Sequence, residues 1–245
     1  MTTISSHRFG TGSPRVLFLH GLGSAGPVWW RIAEALSAVG HPSTAPDLRG
    51  HGESPRFDEY TLNGYAMDMV ATHPGTWDLV VGHSLGGAVA VRATTMAPDF
   101  SSAFLLVDPA IDLDPDTKSA LRDDLVAEAE RPPSVARLMA DHPKWHREDA
   151  ERKHAALLAT SPFVMAATFD DNPEWRLGDE LAGIDHPVHV LGADLEPLYS
   201  TADFERHARA DSSLTFAIVP TAGHSIHRDD PETVIDRALG LLSNP

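Results

Sequence analysis

Short runs of apolar, β-branched or leucine-rich residues recur along this chain at 16–20, 43–47, 78–82, 103–107, 188–192 and 214–219. Between them lie segments whose apolar residues fall at helical spacing: Trp30, Ala33 and Leu36 with Val39, then residues 85–96, then residues 234–242. Strand-length runs alternating with helical segments predict an α/β fold, a mostly parallel sheet with helices on its faces. Residues 4–9 predict an added antiparallel edge strand. With 245 residues, the chain suits one such domain with an insertion rather than two full domains and a linker.

The rhythm stops between residues 111 and 178. No strand pattern occurs there, and charged helical stretches at 116–130 and 148–160 are separated by Pro132, Pro133, Pro143 and Pro162. We expect a core of residues 1–110 and 179–245, with residues 111–178 as a helical cap over one end of the sheet. Trp145, Phe163, Met165, Phe169 and Trp175 give that cap large apolar side chains, to pack on the sheet or to face a pocket.

A formal net charge of −16 repels nucleic acid and anionic membrane surfaces. The expected partner is a small molecule. No apolar run approaches the roughly 18 residues of a membrane span, and residues 1–10 lack the basic and apolar segments of a secretory signal. A cytoplasmic protein is the expectation. The chain has no cysteine, which removes disulfides, thiolate metal sites and a cysteine nucleophile.

One motif carries chemistry. After the strand run at 78–82 comes Gly82-His83-Ser84-Leu85-Gly86-Gly87, followed at once by the helical stretch Ala88-Val89-Ala90-Val91. A serine at the apex of a sharp strand-to-helix turn projects its Oγ clear of the sheet, and glycines two positions to either side let strand and helix approach closely. The helix N-terminus also offers free N–H groups to a developing oxyanion. Ser84 is therefore the candidate nucleophile.

A serine nucleophile needs a base, and fourteen histidines are present. His224 follows the last strand run through Pro220 to Gly223, the place from which a side chain can reach the elbow serine. His227 is its local rival, and the Gly223-His224 pair favours His224. Two carboxylates can orient that base. Asp194 lies just past the strand before the histidine strand, so the chain order becomes Ser84, Asp194, His224; Asp108, at the end of the strand after the elbow helix, is the other candidate, and Glu196 is a third. We assign Asp194. The i, i+3 pair His224 and His227, with Asp229 and Asp230 nearby, lacks a third ligand at recognisable spacing, so no metal is expected.

Taken in order, four segments resemble the α/β-hydrolase superfamily over nearly the whole chain. They are His20-Gly21, Asp47-Leu48-Arg49-Gly50-His51-Gly52-Glu53-Ser54, the elbow Gly82 to Gly87, and Ala222-Gly223-His224 with Pro231-Glu232 downstream. The resemblance implies an oxyanion hole made by the backbone N–H groups of Leu22 and Leu85. It also implies a serine esterase or lactonase acting on a small, mainly apolar substrate without a cofactor.

Two other classes compete. Gly21-Leu22-Gly23-Ser24-Ala25-Gly26 is a literal G-x-G-x-x-G after a strand, with Asp47 about 20 residues on, the fingerprint of an NAD(P)-dependent oxidoreductase. That reading leaves the elbow and His224 unexplained. A hydrolase fold used as a ligand receptor with slow turnover fits the same motifs.

Overall fold

The computed structural model describes residues 4–208 and 213–243. Seven strands form one sheet: β1 (Ser6–Phe9), β2 (Val16–Leu19), β3 (Ser43–Pro46), β4 (Leu79–His83), β5 (Phe104–Val107), β6 (Val188–Ala193) and β7 (Leu214–Val219). Their order is β1-β3-β2-β4-β5-β6-β7. Every neighbouring pair is parallel except β1 with β3, so the edge strand expected near residues 4–9 runs antiparallel.

Period-2 alternation decides which layer each strand residue joins. Val16 and Phe18, Leu79 and Val81, Leu105 and Val107 point to one face. There they meet Ile32 and Leu36 of α1 (Trp30–Ala38) together with Val234 and Ala238 of a C-terminal helix, Pro231–Ser243. Leu17 and Leu19, Val80, Phe104 and Leu106 point the other way, onto α2 (Leu62–Thr72) and α3 (Leu85–Met96). Both faces are covered, which is why the central strands read as continuous apolar runs.

Between β5 and β6 the chain runs through α4 (Pro115–Glu130), α5 (Val135–Asp141), α6 (Arg147–Ala159), α7 (Pro162–Asp170) and α8 (Gly178–Ala182). Side chains of Asp114, Ser134, His146 and Ser161 accept N–H groups at the first turns of α4 to α7, the usual way that otherwise unpaired helix-end donors are satisfied. Polar contacts fix the segment to the sheet unit. Asn172 accepts from Leu62 N at 2.8 Å and donates to Tyr60 O at 3.0 Å; Trp30 Nε1 donates to Asp149 Oδ1 at 2.9 Å. The remaining helices are α9 (Thr201–His207), α10 (Ile226–Asp229) and α11, the C-terminal helix. Among the described residues no helix is long and apolar enough to cross a membrane.

A buried polar web holds the loops after β2 and β3. Asp47 is 1% exposed; its Oδ1 accepts from Gly26 N at 2.7 Å, and its Oδ2 from Glu53 N at 2.9 Å and His7 Nε2 at 3.0 Å. His20 accepts from Leu48 N at Nε2 (2.9 Å), so its Nδ1–H donates to Gly21 O (2.8 Å). His51 does the same, accepting from Gly23 N at 3.2 Å and donating to Arg49 O at 2.9 Å. Both imidazoles are wholly buried and neutral by construction, because a second ring proton would expel a backbone N–H. Burial lowers the pKa of His20 and, with His20 as neighbour, pushes His51 down to about 3.

The sign of the pH dependence follows. Above the unfolded-state pKa of about 6.5 neither form is protonated; below it the unfolded chain takes up protons that the folded ring refuses, so stability falls as pH falls. His7, raised by its bond to Asp47, runs oppositely: its contribution is complete below 6.5 and is lost as pH rises through its folded pKa. Removing one such acceptor ring should show in urea unfolding at pH 7.5, 6.5, 5.5 and 4.5. His51→Gln should be destabilised relative to the wild type at pH 7.5, and that gap should shrink by up to about 1.4 kcal/mol per pH unit below 6.5; a gap independent of pH would contradict a neutral, buried His51.

Candidate active site

The turn between β4 and α3 places Ser84 at φ 52°, ψ −118°, a backbone state that a non-glycine residue adopts at a cost of about 1–3 kcal/mol. The cost is met by the surrounding contacts: Ser84 N donates to Val107 O (3.2 Å), and Ser84 O accepts from Gly87 N (3.0 Å), Ala88 N (3.2 Å) and Ala110 N (3.2 Å). The flanking glycines are required by space. A Cβ on Gly82 would lie 2.6 Å from Gly86 O, and one on Gly87 would lie 2.5 Å from Pro109 Cβ. Helix α3 thus starts directly against the strand ends, with Ser84 at its N-cap.

His224 sits in the loop after β7, and its Nδ1 lies 2.6 Å from Oδ2 of Asp108. The carboxylate beside the histidine is thus Asp108 and not the expected Asp194. Asp194 is exposed, and its Oδ2 instead accepts from Thr221 N at 2.9 Å, pinning the turn that leads to the histidine. Glu196 is exposed as well. Asp108 follows β5 immediately, has φ 40° and is fully buried. Its Oδ1 accepts from Tyr199 N (3.1 Å) and Ala193 N (3.4 Å), and its Oδ2 also accepts from Leu198 N (3.1 Å). The loop after β6, where chain order pointed for the carboxylate, supplies the donors to that carboxylate. The signal in the sequence was an aspartate interrupting the apolar run Leu106-Val107-Asp108-Pro109-Ala110-Ile111.

Ser84 and His224 line one cavity of about 230 Å³, together with Gly21, Leu22, His83 and Leu85. These residues lie at or just beyond the C-terminal ends of β2, β4 and β7, where open α/β sheets bind ligands. Among the described residues, the backbone N–H groups of Leu22 and Leu85 have no acceptor. The far side comes largely from residues 113–175 and is mostly apolar, with Leu113, Leu121, Leu125, Leu138, Trp145, Phe169 and Trp175 beside the polar Glu128, His142 and Lys153. Phe163 is not among them. It is 61% exposed and meets Tyr60 edge-on at 6.1 Å, while Met165 packs with Leu157 and Ala129. Periodicity could not separate these faces, because α7 is apolar nearly all round.

His227 does not share the site of His224. Its ring is buried against Trp29 and His83, at centroid distances of 4.9 and 4.4 Å, and burial beside His83 holds it well below its ordinary pKa. His83 is also kept neutral by burial and by His224; its Nε2–H donates to the backbone carbonyl of His224 at 3.0 Å. Both rings thus pack against the loop that carries His224, an arrangement that the sequence did not foretell. The dinucleotide reading fails on Asp47, whose carboxylate is spent on Gly26, Glu53 and His7 inside the protein and cannot reach a ribose.

Comparison with known proteins agrees with this fold. The model of the alpha/beta hydrolase family matches residues 16–237. Esterase Rv0045c of Mycobacterium tuberculosis is 29% identical, with 98% of this chain and 86% of that protein aligned. Lipase LipV of the same organism is 34% identical over 70% of this chain and 64% of its own length. Among solved structures, E-2-(acetamidomethylene)succinate hydrolase superposes with a TM-score of 0.78 at 24% identity, covering 98% of this chain and 95% of that one. A thermophilic esterase from Thermogutta terrifontis gives 0.77 at 24% identity, covering 98% and 93%. From its first parallel strand to its last helix, the chain belongs to the alpha/beta hydrolase family.

Proposed function

We propose that this protein is a carboxylic ester hydrolase that cleaves an ester or lactone of a small, mainly apolar substrate through an acyl-enzyme on Ser84. The observation that carries this is the 2.6 Å contact between His224 Nδ1 and the buried Asp108 on the rim of the cavity that Ser84 lines. With Nδ1–H donated to Asp108, the lone pair of His224 lies on Nε2, ready to take the proton of Ser84 Oγ as that oxygen attacks the carbonyl carbon. The carbonyl oxygen becomes an anion, and the free N–H groups of Leu22 and Leu85 are the donors for it. Collapse expels the alcohol, protonated by His224. Water then adds to the acyl-enzyme by the same route and releases the acid and Ser84. Asp108 stabilises the imidazolium in both halves. Esterase and lipase relatives support this chemistry, and the cap role of residues 111–178 rests on the apolar cavity side that they form.

Hydrolysis of p-nitrophenyl esters of increasing chain length tests the assignment. Ser84→Ala and His224→Ala should each lower kcat by about 10⁴- to 10⁶-fold, and Asp108→Asn by about 10⁴-fold through the wrong tautomer. Asp194→Asn should cost far less, since it only loosens the turn at Thr221. The reverse order of losses at the two aspartates would return the role to Asp194. A ligand receptor would show saturable binding without turnover that depends on Ser84.

The same ester series tests the cap. Trp145→Ala and Trp175→Ala should shift the preferred chain length, whereas Phe163→Ala, on the outer surface, should leave the profile as it is. An unaltered profile in both tryptophan variants would make these helices a scaffold only.

A further inference from the structure

The cavity contains a charge that the ester chemistry does not use. Arg228, on α10 four residues after His224, lines it and is only 3% exposed. Its Nη1 donates to Ser225 Oγ at 3.1 Å, while Nε and Nη2 are buried without an acceptor among the described residues. Its guanidinium lies 4.8 Å from the centre of the Trp145 ring.

Every nearby carboxylate is already committed. Asp229 accepts from Trp145 Nε1 (2.9 Å) and Gly223 N (2.8 Å). Asp149 accepts from Trp30 Nε1 (2.9 Å), Arg31 Nη2 (3.2 Å) and His146 N (3.1 Å). Glu128 pairs with Lys153 at 2.9 Å, and both of these also line the cavity. The neighbouring histidines His83, His142 and His227 are all held below their ordinary pKa by burial, so none competes for an anion. Burial lowers Arg228 itself only to about 10, and it remains a cation at neutral pH.

A buried guanidinium with unfilled N–H groups is costly unless something supplies the missing acceptor. Arginine is also the side chain best suited to grip a planar carboxylate through two N–H groups. We propose that the substrate is an ester or lactone that carries a free carboxylate, seated on Arg228, with its apolar body against Trp145 and Leu138. This rests on the hydrolase assignment and narrows its substrate class.

A matched pair of substrates separates the two claims: monoethyl glutarate, an anion at neutral pH, and its neutral counterpart ethyl pentanoate, both followed by acid release. The wild type should favour the monoanion in kcat/KM by about 10- to 100-fold, the range of a charge-assisted hydrogen bond. Arg228→Met, which keeps a side chain to pack on Trp145, should reduce that ratio at least tenfold; Arg228→Lys, which keeps the charge without the fork, should reduce it less. An arginine that merely clamps α10 to Trp145 would lower both rates together and leave the ratio intact, which would overturn the proposal. So would a wild-type ratio near one, whether or not Arg228→Met folds. Binding gives an arm independent of turnover: Ser84→Ala should bind monoethyl glutarate in calorimetry, and Ser84→Ala with Arg228→Lys more weakly. If neither ester is hydrolysed, the hydrolase assignment falls while the binding arm still decides the anion seat, with absence of binding counting against it.

Discussion

A carboxylate shut away from water is tolerated only when its lone pairs are filled, and the arrangement around Asp108 is organised by that requirement. Three backbone N–H groups, from Ala193 at the end of β6 and Leu198 and Tyr199 in the loop after it, converge on it, and the imidazole of His224 reaches it from the loop after β7. One side chain at the end of β5 therefore draws the C-terminal ends of two other strands together. Ser84 is tied into the same cluster through Ser84 N to Val107 O and Ala110 N to Ser84 O, the residues on either side of Asp108-Pro109. The positive φ angles of Ser84 and Asp108 are the local cost of this convergence, offset by hydrogen bonds that neither residue could make in an extended strand.

This explains which parts of the site were legible from sequence. Strands β2, β4 and β5 announce themselves because burial on both faces demands unbroken apolar runs, and the elbow because Gly82 and Gly86 answer a steric requirement visible as spacing. Asp194 was expected beside His224 and the structure places Asp108 there, for a physical reason. Chain order locates a loop but not the direction of a side chain, and residues 193–199 contribute N–H groups rather than Asp194. Histidines were the least legible class: His20, His51 and His83 are set by backbone groups distant in sequence, 28 residues or more away for the bonds His20 to Leu48 and His83 to His224, and His227 by the rings of Trp29 and His83. Phe163 and Trp145, equal as large apolar residues in the sequence, end differently, Phe163 on the outer surface of α7 and Trp145 buried in the loop between α5 and α6 at the cavity, because packing, not composition, sorts them.

The helical segment over the cavity is held by polar contacts at its rim and apolar ones inside. Trp145 joins the two: its Nε1 donates to Asp229, its ring stacks on His142 at 4.0 Å, and Arg228 lies over it. Lys144, its neighbour in sequence, donates to Thr221 O and Oγ1 at 2.6 and 2.7 Å. The segment thus grips the loop that carries His224 at the point where Asp194 also pins it. The same turn is therefore held from two sides, by Lys144 of the helical segment and by Asp194 of the loop after β6.

Electrostatics gives the cavity a character opposite to that of the surface. The chain as a whole carries −16, whereas the charged cavity lining is Arg228 and Lys153 against Glu128, two cations to one anion. At physiological salt the surface acids are screened beyond roughly 8 Å, while a buried guanidinium is screened little. An anionic substrate therefore gains no steering during its approach and meets attraction only once it has entered and shed water. Discrimination between an anionic and a neutral ester then belongs to the bound state, in the dissociation rate and in the positioning of the ester carbonyl, rather than to the encounter. A cation held this way does not need an acidic protein to become less acidic overall, so a net charge of −16 is compatible with a small carboxylate inside the cavity.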